Sequence, residues 1–302
     1  MSFASRLWKS LESKNTPAMV GLDPRPENFP EPFRTNAAAC PSAAAKATVE
    51  YHRELLPLLA KKIPVVKPQA AFFEQMGEQG FAALADAIGL AKDLGLLVLM
   101  DAKRGDIGST STAYAKTFLG GGLHNAFPAS DALTVNPYLG EDACQPFLET
   151  AAEHGAGLFF LVKTSNPGAT LFQNHGSPPL ADIVADSVRR WGESFLDESG
   201  WSSLGAVVGA TRPEELQHFR DRLPKAPLLL PGFGHQGGTA KGLDPAFDEF
   251  GRGAVVNSSR GVLWAHQREE FAHLGSWEEK VLAAVDEMVA ALPTVGGSTA
   301  QA

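Results

Sequence analysis

Asp101, Lys103 and Asp106 bring two carboxylates and an ammonium together directly after the apolar run 96–100. On an extended strand, residues two apart share a face, so Asp101 and Lys103 are expected to project together. Asp106 falls just beyond, where the strand gives way to a loop. Charges at a partly dry site are costly to desolvate unless they pair, so the array is expected to be mutually stabilised and rigid. An ammonium fixed in this way can deliver a proton and stabilise negative charge that develops beside it. The spacing alone is not specific. D-x-K-x-x-D arises by chance in about one chain of this length in twenty, and an ordinary ion-pair cluster reads the same way.

Two further segments suggest phosphate binding. Pro231-Gly232-Phe233-Gly234-His235-Gln236-Gly237-Gly238 and Asn257-Ser258-Ser259-Arg260-Gly261 each follow a short apolar run. Glycines let backbone N–H groups approach an anion, and the planar guanidinium of Arg260 matches phosphate oxygens. The competing reading is a Gly-rich turn and a surface arginine.

The elements that must position these residues alternate along the chain. Apolar runs rich in Val and Leu occupy 19–22, 64–66, 96–100, 132–135, 158–162, 206–208, 228–230 and 254–256. Between them lie stretches of helical length, among them 43–61, 80–94, 142–154 and 179–196. Strands of buried type alternating with helices predict an α/β protein with a parallel sheet, and eight repeats favour a closed (β/α)8 TIM barrel. In that fold the C-terminal strand ends carry the active site, and the loops after strands seven and eight commonly hold phosphate. Asp23, Lys67, Asn136 and Ser165 all follow apolar runs and so fall on the same rim.

One domain is expected over 1–292. Phe3, Leu7, Trp8 and Leu11 recur at helical spacing, which predicts an amphipathic helix at about 3–14 closing one end of the barrel. Residues 293–302 lack apolar periodicity and are expected to be disordered.

The bulk numbers exclude several classes. The chain has 302 residues, 44% of them hydrophobic, and a net charge of −8. That balance argues against nucleic acid as a partner. No apolar run approaches the roughly 20 residues that span a bilayer, so no membrane association is expected. The N-terminus shows no signal-peptide pattern, and Cys40 and Cys144 match no metal or redox spacing, which makes a cytoplasmic location the expectation. Serine-hydrolase, zinc and dinucleotide motifs are missing, and the histidines read mostly as surface residues.

The segment D-A-K-R-G-D-I-G-S-T resembles the signature of the orotidine 5′-monophosphate decarboxylase family, in its longer bacterial branch. The family core is D-x-K-x-x-D followed by Ile and Thr, and Asp101, Lys103, Asp106, Ile107 and Thr110 fill those positions. The match extends from Gly21-Leu22-Asp23 to Arg260. The resemblance implies a cofactor-free and metal-free enzyme that converts orotidine 5′-monophosphate (OMP) to UMP and carbon dioxide, the last step of UMP synthesis. Lys103 would protonate C6 of the pyrimidine, and Asp101 would sit beside the departing carboxylate. Asp106, with Ile107 and Thr110 following it, would reach across a homodimer interface into the partner's site. Ser165 would bond the pyrimidine, while Asp23 and Lys67 would contact the ribose hydroxyls. Pro231, Gly234, Gln236 and Arg260 would hold the phosphate, with Gln236 closing over the nucleotide. His235 departs from the small residue the family carries there.

Three rival readings use the same residues. Magnesium-dependent sugar-phosphate decarboxylases and synthases of the same superfamily also carry D-x-K-x-x-D, and Glu74 is the candidate extra ligand. A Schiff-base aldolase would use Lys163, which shares strand parity with Ser165. A non-catalytic phosphate-binding barrel would need neither.

Overall fold

The apolar runs form parallel strands that close on themselves in sequential order. They are β1 (Ala18–Leu22), β2 (Val65–Pro68), β3 (Leu97–Arg104), β4 (Ala132–Val135), β5 (Gly157–Lys163), β6 (Leu204–Val208), β7 (Leu228–Pro231) and β8 (Ala254–Ser258). Pairing of β1 with β8, Met19 opposite Asn257, completes the ring. This is a (β/α)8 TIM barrel. The strands read as continuous apolar runs because both faces are covered, and every residue of β1 is buried. The structure is a computed structural model and describes residues 1–34, 40–209, 212–232 and 242–296.

Helices wrap the outside: α2 (Pro41–Ala60), α3 (Ala70–Glu74), α4 (Gly77–Asp93), α5 (Gly108–Leu119), α6 (Glu141–His154), α7 (Ala169–Gln173), α8 (Leu180–Gly192), α9 (Pro213–Arg222), α10 (Arg260–Leu263) and α11 (Trp277–Ala291). Their apolar stripes meet the outward strand residues, such as Val66, Val98 and Phe160, in the larger of two cores. The smaller core fills the barrel itself with Met19, Val65, Leu99, Phe159, Val207 and Leu229.

The N-terminal helix α1 (Phe3–Lys14) seals the end of the barrel away from the strand tips. Its Phe3, Leu7, Trp8 and Leu11 join the inner core, as their spacing predicts. The approach is close. A Cβ on Gly157 would lie 2.3 Å from the Phe3 ring, so the start of β5 accepts no side chain there. The segment expected to be structureless is packed as far as it is described. Val295 is buried, its N–H donating to Asn15 Oδ1 at 3.0 Å, and Gly296 N–H donates to the Phe250 carbonyl. Residues 297–302 lie outside the described residues. Among the described residues no helix is long and apolar enough to cross a membrane.

Candidate active site

Strand β3 continues past its apolar run to Arg104 and carries the charged motif to the mouth of the barrel. Its register against β4 shifts on the way. Leu99 and Met100 face Ala132 and Leu133, yet Arg104 faces Val135, so Asp101, Ala102 and Lys103 all stand opposite Thr134. Such a bulge bends the strand and re-aims its side chains. Lys103 takes a left-handed backbone at φ 49°, which costs a residue with a Cβ roughly 1–2 kcal/mol. Asp101 and Lys103 therefore meet through a bulge and not through flat-strand parity. Lys103 Nζ lies 2.6 Å from Asp101 Oδ1.

Asp101 is the hub of the network. Its Oδ1 also accepts from the Thr134 hydroxyl at 3.0 Å, while Oδ2 accepts from Lys67 Nζ at 2.7 Å and Gln69 Nε2 at 2.9 Å. Neither Thr134 nor Gln69 is signalled by the sequence, since nothing in a lone strand shows which neighbour its side chain meets. Burial pushes the Asp101 carboxyl up, but Lys67 and Lys103 override it and hold the group far below the usual carboxylate range. Burial likewise disfavours the Lys67 ammonium, and Asp101 and Asp23 outweigh that and raise its pKa. The side chains of Asp101 and Lys67 are 7% and 5% exposed, that of Lys103 44%. One ammonium is locked in the wall; the other is presented to the cavity.

The cavity has a volume of about 380 Å³ and brings together Asp23, Lys67, Asp101, Lys103, Ser165, Pro231 and Arg260. Arg260 is exposed and forms no ion pair among the described residues, which leaves its guanidinium free for an anion. Gly232 beside it has φ 87°, a turn that only glycine adopts readily. Asn257 on β8 also lines the cavity, and the sequence reading assigned it no role of its own. Asn257 Oδ1 and Asp23 Oδ1 are buried acceptors without a partner among the described residues. Acceptors left dry and unpaired are costly, so this wall suits a ligand that brings hydroxyl donors. On the opposite side, Gln173 of α7 clamps the Ser165 loop by accepting from Thr164 N–H at 2.9 Å and donating to Thr164 Oγ1 at 2.8 Å.

Other sequence-named residues fall elsewhere. Asp106, Ile107 and Thr110 do not line this cavity; Asp106 Oδ1 accepts from Ile107 N–H at 2.8 Å, and Ile107 is 61% exposed. Gly234 and Gln236, with His235, lie outside the described residues. Lys163 does not share the rim with Ser165. Leu161 and Lys163 face Val207 and Val208, so the register slips by one and Lys163 turns out to Asn174 and Glu215. Glu74 is engaged by Arg104 and does not reach the cavity. Asn136 bonds Tyr138 N–H, beside the rim. His52, on α2, is buried beside Tyr51 and Phe73.

Fold and site together define a (β/α)8-barrel enzyme that presents a paired ammonium to a small anionic ligand. The Orotidine 5′-phosphate decarboxylase / HUMPS family matches residues 18–273, and the chain belongs to that family. It is 44% identical to the orotidine 5′-phosphate decarboxylase of Rhodopirellula baltica, over 95% of this chain and 98% of the relative. It is 40% identical to that of Deinococcus radiodurans, over 96% and 98% of the two chains. Among solved structures, the OMP decarboxylase of Leishmania donovani superposes with a TM-score of 0.71 at 32% identity, covering 96% of each chain.

Proposed function

We propose that this protein decarboxylates orotidine 5′-monophosphate to UMP and carbon dioxide, using neither metal nor cofactor. The observation that carries the reading is the Lys67–Asp101–Lys103 network at the mouth of a cavity that also holds Arg260. The phosphate goes to Arg260 and the loop after β7, the ribose hydroxyls to Asp23, Lys67 and the Asn257 wall, and the pyrimidine to Ser165. This lays C6 against Lys103. As the C6–carboxylate bond breaks, its electron pair stays on C6, and the Lys103 ammonium neutralises that charge and donates the proton that forms the new C6–H bond. Asp101 holds the ammonium in place, so no solvent has to reorganise during the step.

The magnesium-dependent reading is disfavoured because Glu74, its candidate extra ligand, is paired with Arg104 outside the cavity. The aldolase reading is disfavoured by the outward turn of Lys163. We further propose that a second copy completes the site. Asp106, Ile107 and Thr110 stand outside the cavity on a rim that also exposes Tyr138, Leu139 and Phe172, at 72%, 50% and 60%. An apolar rim beside a polar site suits a partner subunit. The free thiols of Cys40 and Cys144 fit a reducing compartment, and we place the reaction in the cytoplasm.

The test is the fall in OMP absorbance on adding purified protein with excess EDTA, alongside a Lys103→Ala control. Turnover to UMP that resists EDTA and vanishes in the control is expected. Folded wild-type protein that leaves OMP untouched overturns the reading.

A further inference from the structure

At the bulge in β3 a main-chain donor is met by a side chain. Lys103 N–H lies where the register against β4 shifts. It donates to Thr134 Oγ1 at 2.9 Å. The same hydroxyl donates to Asp101 Oδ1 at 3.0 Å, and that oxygen accepts from Lys103 Nζ at 2.6 Å. The chain of contacts therefore closes on itself. Thr134 ties the backbone of Lys103 to the carboxylate oxygen that receives its ammonium.

Three properties make Thr134 suited to this. It is fully buried, so water does not compete for either bond. Its backbone is held in β4 and paired with Phe159 on β5, so the hydroxyl hangs from a rigid frame. Its branched Cβ limits χ1, which keeps Oγ1 aimed between donor and acceptor. Lys103 needs such a brace. A lysine in a left-handed conformation is held there by its surroundings, and its side chain is long and 44% exposed.

We propose that Thr134 is a positioning residue for the proton-donating lysine: its hydroxyl sets the bulge and, through Asp101, the place of the Lys103 ammonium. The proposal rests on the decarboxylase reading for its kinetic readout, but its structural core can be tested without it. The hydroxyl lies behind the charged network, and the residues assigned to phosphate, ribose and base do not touch it. Its loss should affect the chemical step and spare nucleotide binding.

The experiment compares Thr134→Val, which keeps the shape and removes the hydroxyl, with Thr134→Ser, which keeps the hydroxyl. Thr134→Ala serves as the hydroxyl-free variant should the valine protein not fold. Three quantities are read: kcat for OMP, the dissociation constant for UMP, and hydrogen-exchange protection of the Lys103 amide. For the hydroxyl-free variant, kcat is expected to fall roughly 10- to 100-fold, the loss of one hydrogen bond to a charged group. UMP affinity should hold, Lys103 amide protection should be lost, and serine should restore both kcat and protection. A hydroxyl-free variant with wild-type kcat, or with the Lys103 amide still protected, overturns the proposal. So does a parallel loss of kcat and UMP affinity, which marks a structural role alone. If wild-type protein does not turn over OMP, the decarboxylase reading fails, and the amide protection by itself decides the role of Thr134.

Discussion

Lys103 reaches Asp101 from a left-handed backbone: φ is 49° at the lysine, and its Nζ sits 2.6 Å from Asp101 Oδ1. Backbone strain and a charge pair coincide at one residue, which is characteristic of sites where geometry is held for function. The strain has a measurable consequence. Lys103→Gly and Lys103→Ala both remove the proposed proton donor and should lower kcat by at least about 10⁴-fold. Glycine nevertheless should be the more stable of the two by about 1 kcal/mol, the reverse of the order in most strands, because it accepts positive φ freely. Urea denaturation of the pair measures this, and equal stabilities would show that the conformation is not strained.

Removing the hub should cost more than removing the lysine it serves. Asp101→Ala strands Lys67, whose side chain is 5% exposed, without its nearest counter-charge. Breaking a buried pair typically costs about 3–5 kcal/mol, and Asp23 nearby places the expectation at the lower end. Adding Lys67→Met should recover part of that loss, which a double-mutant cycle in urea would quantify. The pH dependence follows with a definite sign. The Asp101 carboxyl is depressed from an ordinary 3.8, so its contribution is present above that value and lost as pH falls below it. Lys67 is raised from 10.5, so its contribution is present below that value and lost as pH climbs through the higher folded one.

His52 gives a second, separable pH effect. Burial lowers its pKa from 6.5 to about 4, and no hydrogen-bond partner reaches its Nδ1 among the described residues. The unfolded chain binds this proton more readily than the folded one between those values, so stability falls as pH drops from 6.5 towards 4. The loss from this group should approach about 3 kcal/mol. His52→Phe should flatten that part of the stability profile, and an unchanged slope would place the titration elsewhere.

Gly209 is expected to control the loop that carries Ser165. A Cβ there would lie 2.8 Å from Ser165 N and 3.2 Å from Ser165 Cβ. Gly209→Ala should push Ser165 out of the cavity wall, raising KM for OMP by several-fold with a smaller change in kcat. Steady-state kinetics provides the check, and an unaltered KM would remove Ser165 from the list of substrate contacts.

The proposed sharing of the site between subunits predicts complementation. Lys103→Ala and Asp106→Ala chains, each inactive alone, should regain activity when mixed, because a heterodimer holds one site with both groups intact. Activity should approach about a quarter of wild type for random pairing, since half the dimers then carry one working site of two. No recovery despite proven subunit exchange would confine each site to one chain.

What the sequence determined by itself is the frame. The runs at 19–22 and 254–256 become β1 and β8 because barrel strands are buried on both faces, and that burial writes itself as unbroken apolar residues. The spacing of Phe3, Leu7 and Leu11 places α1 for a similar local reason. Asp23, Lys67, Asp101, Ser165 and Arg260 were legible as candidates because each follows an apolar run, and all five line one cavity at the mouth of the barrel. Tertiary structure decided the rest. Asp101 and Lys103 reach the cavity together as expected, but through a bulge and not through period-two parity. Parity also misplaces Lys163, because a register slip against β6 turns that strand end outward. Thr134 on β4 and Gln69 just after β2 were invisible as partners of Asp101, since each lies roughly thirty residues away in sequence. A strand's own residues fix which side chains are apolar; only the neighbour it pairs with fixes the register, and the register decides which atoms meet.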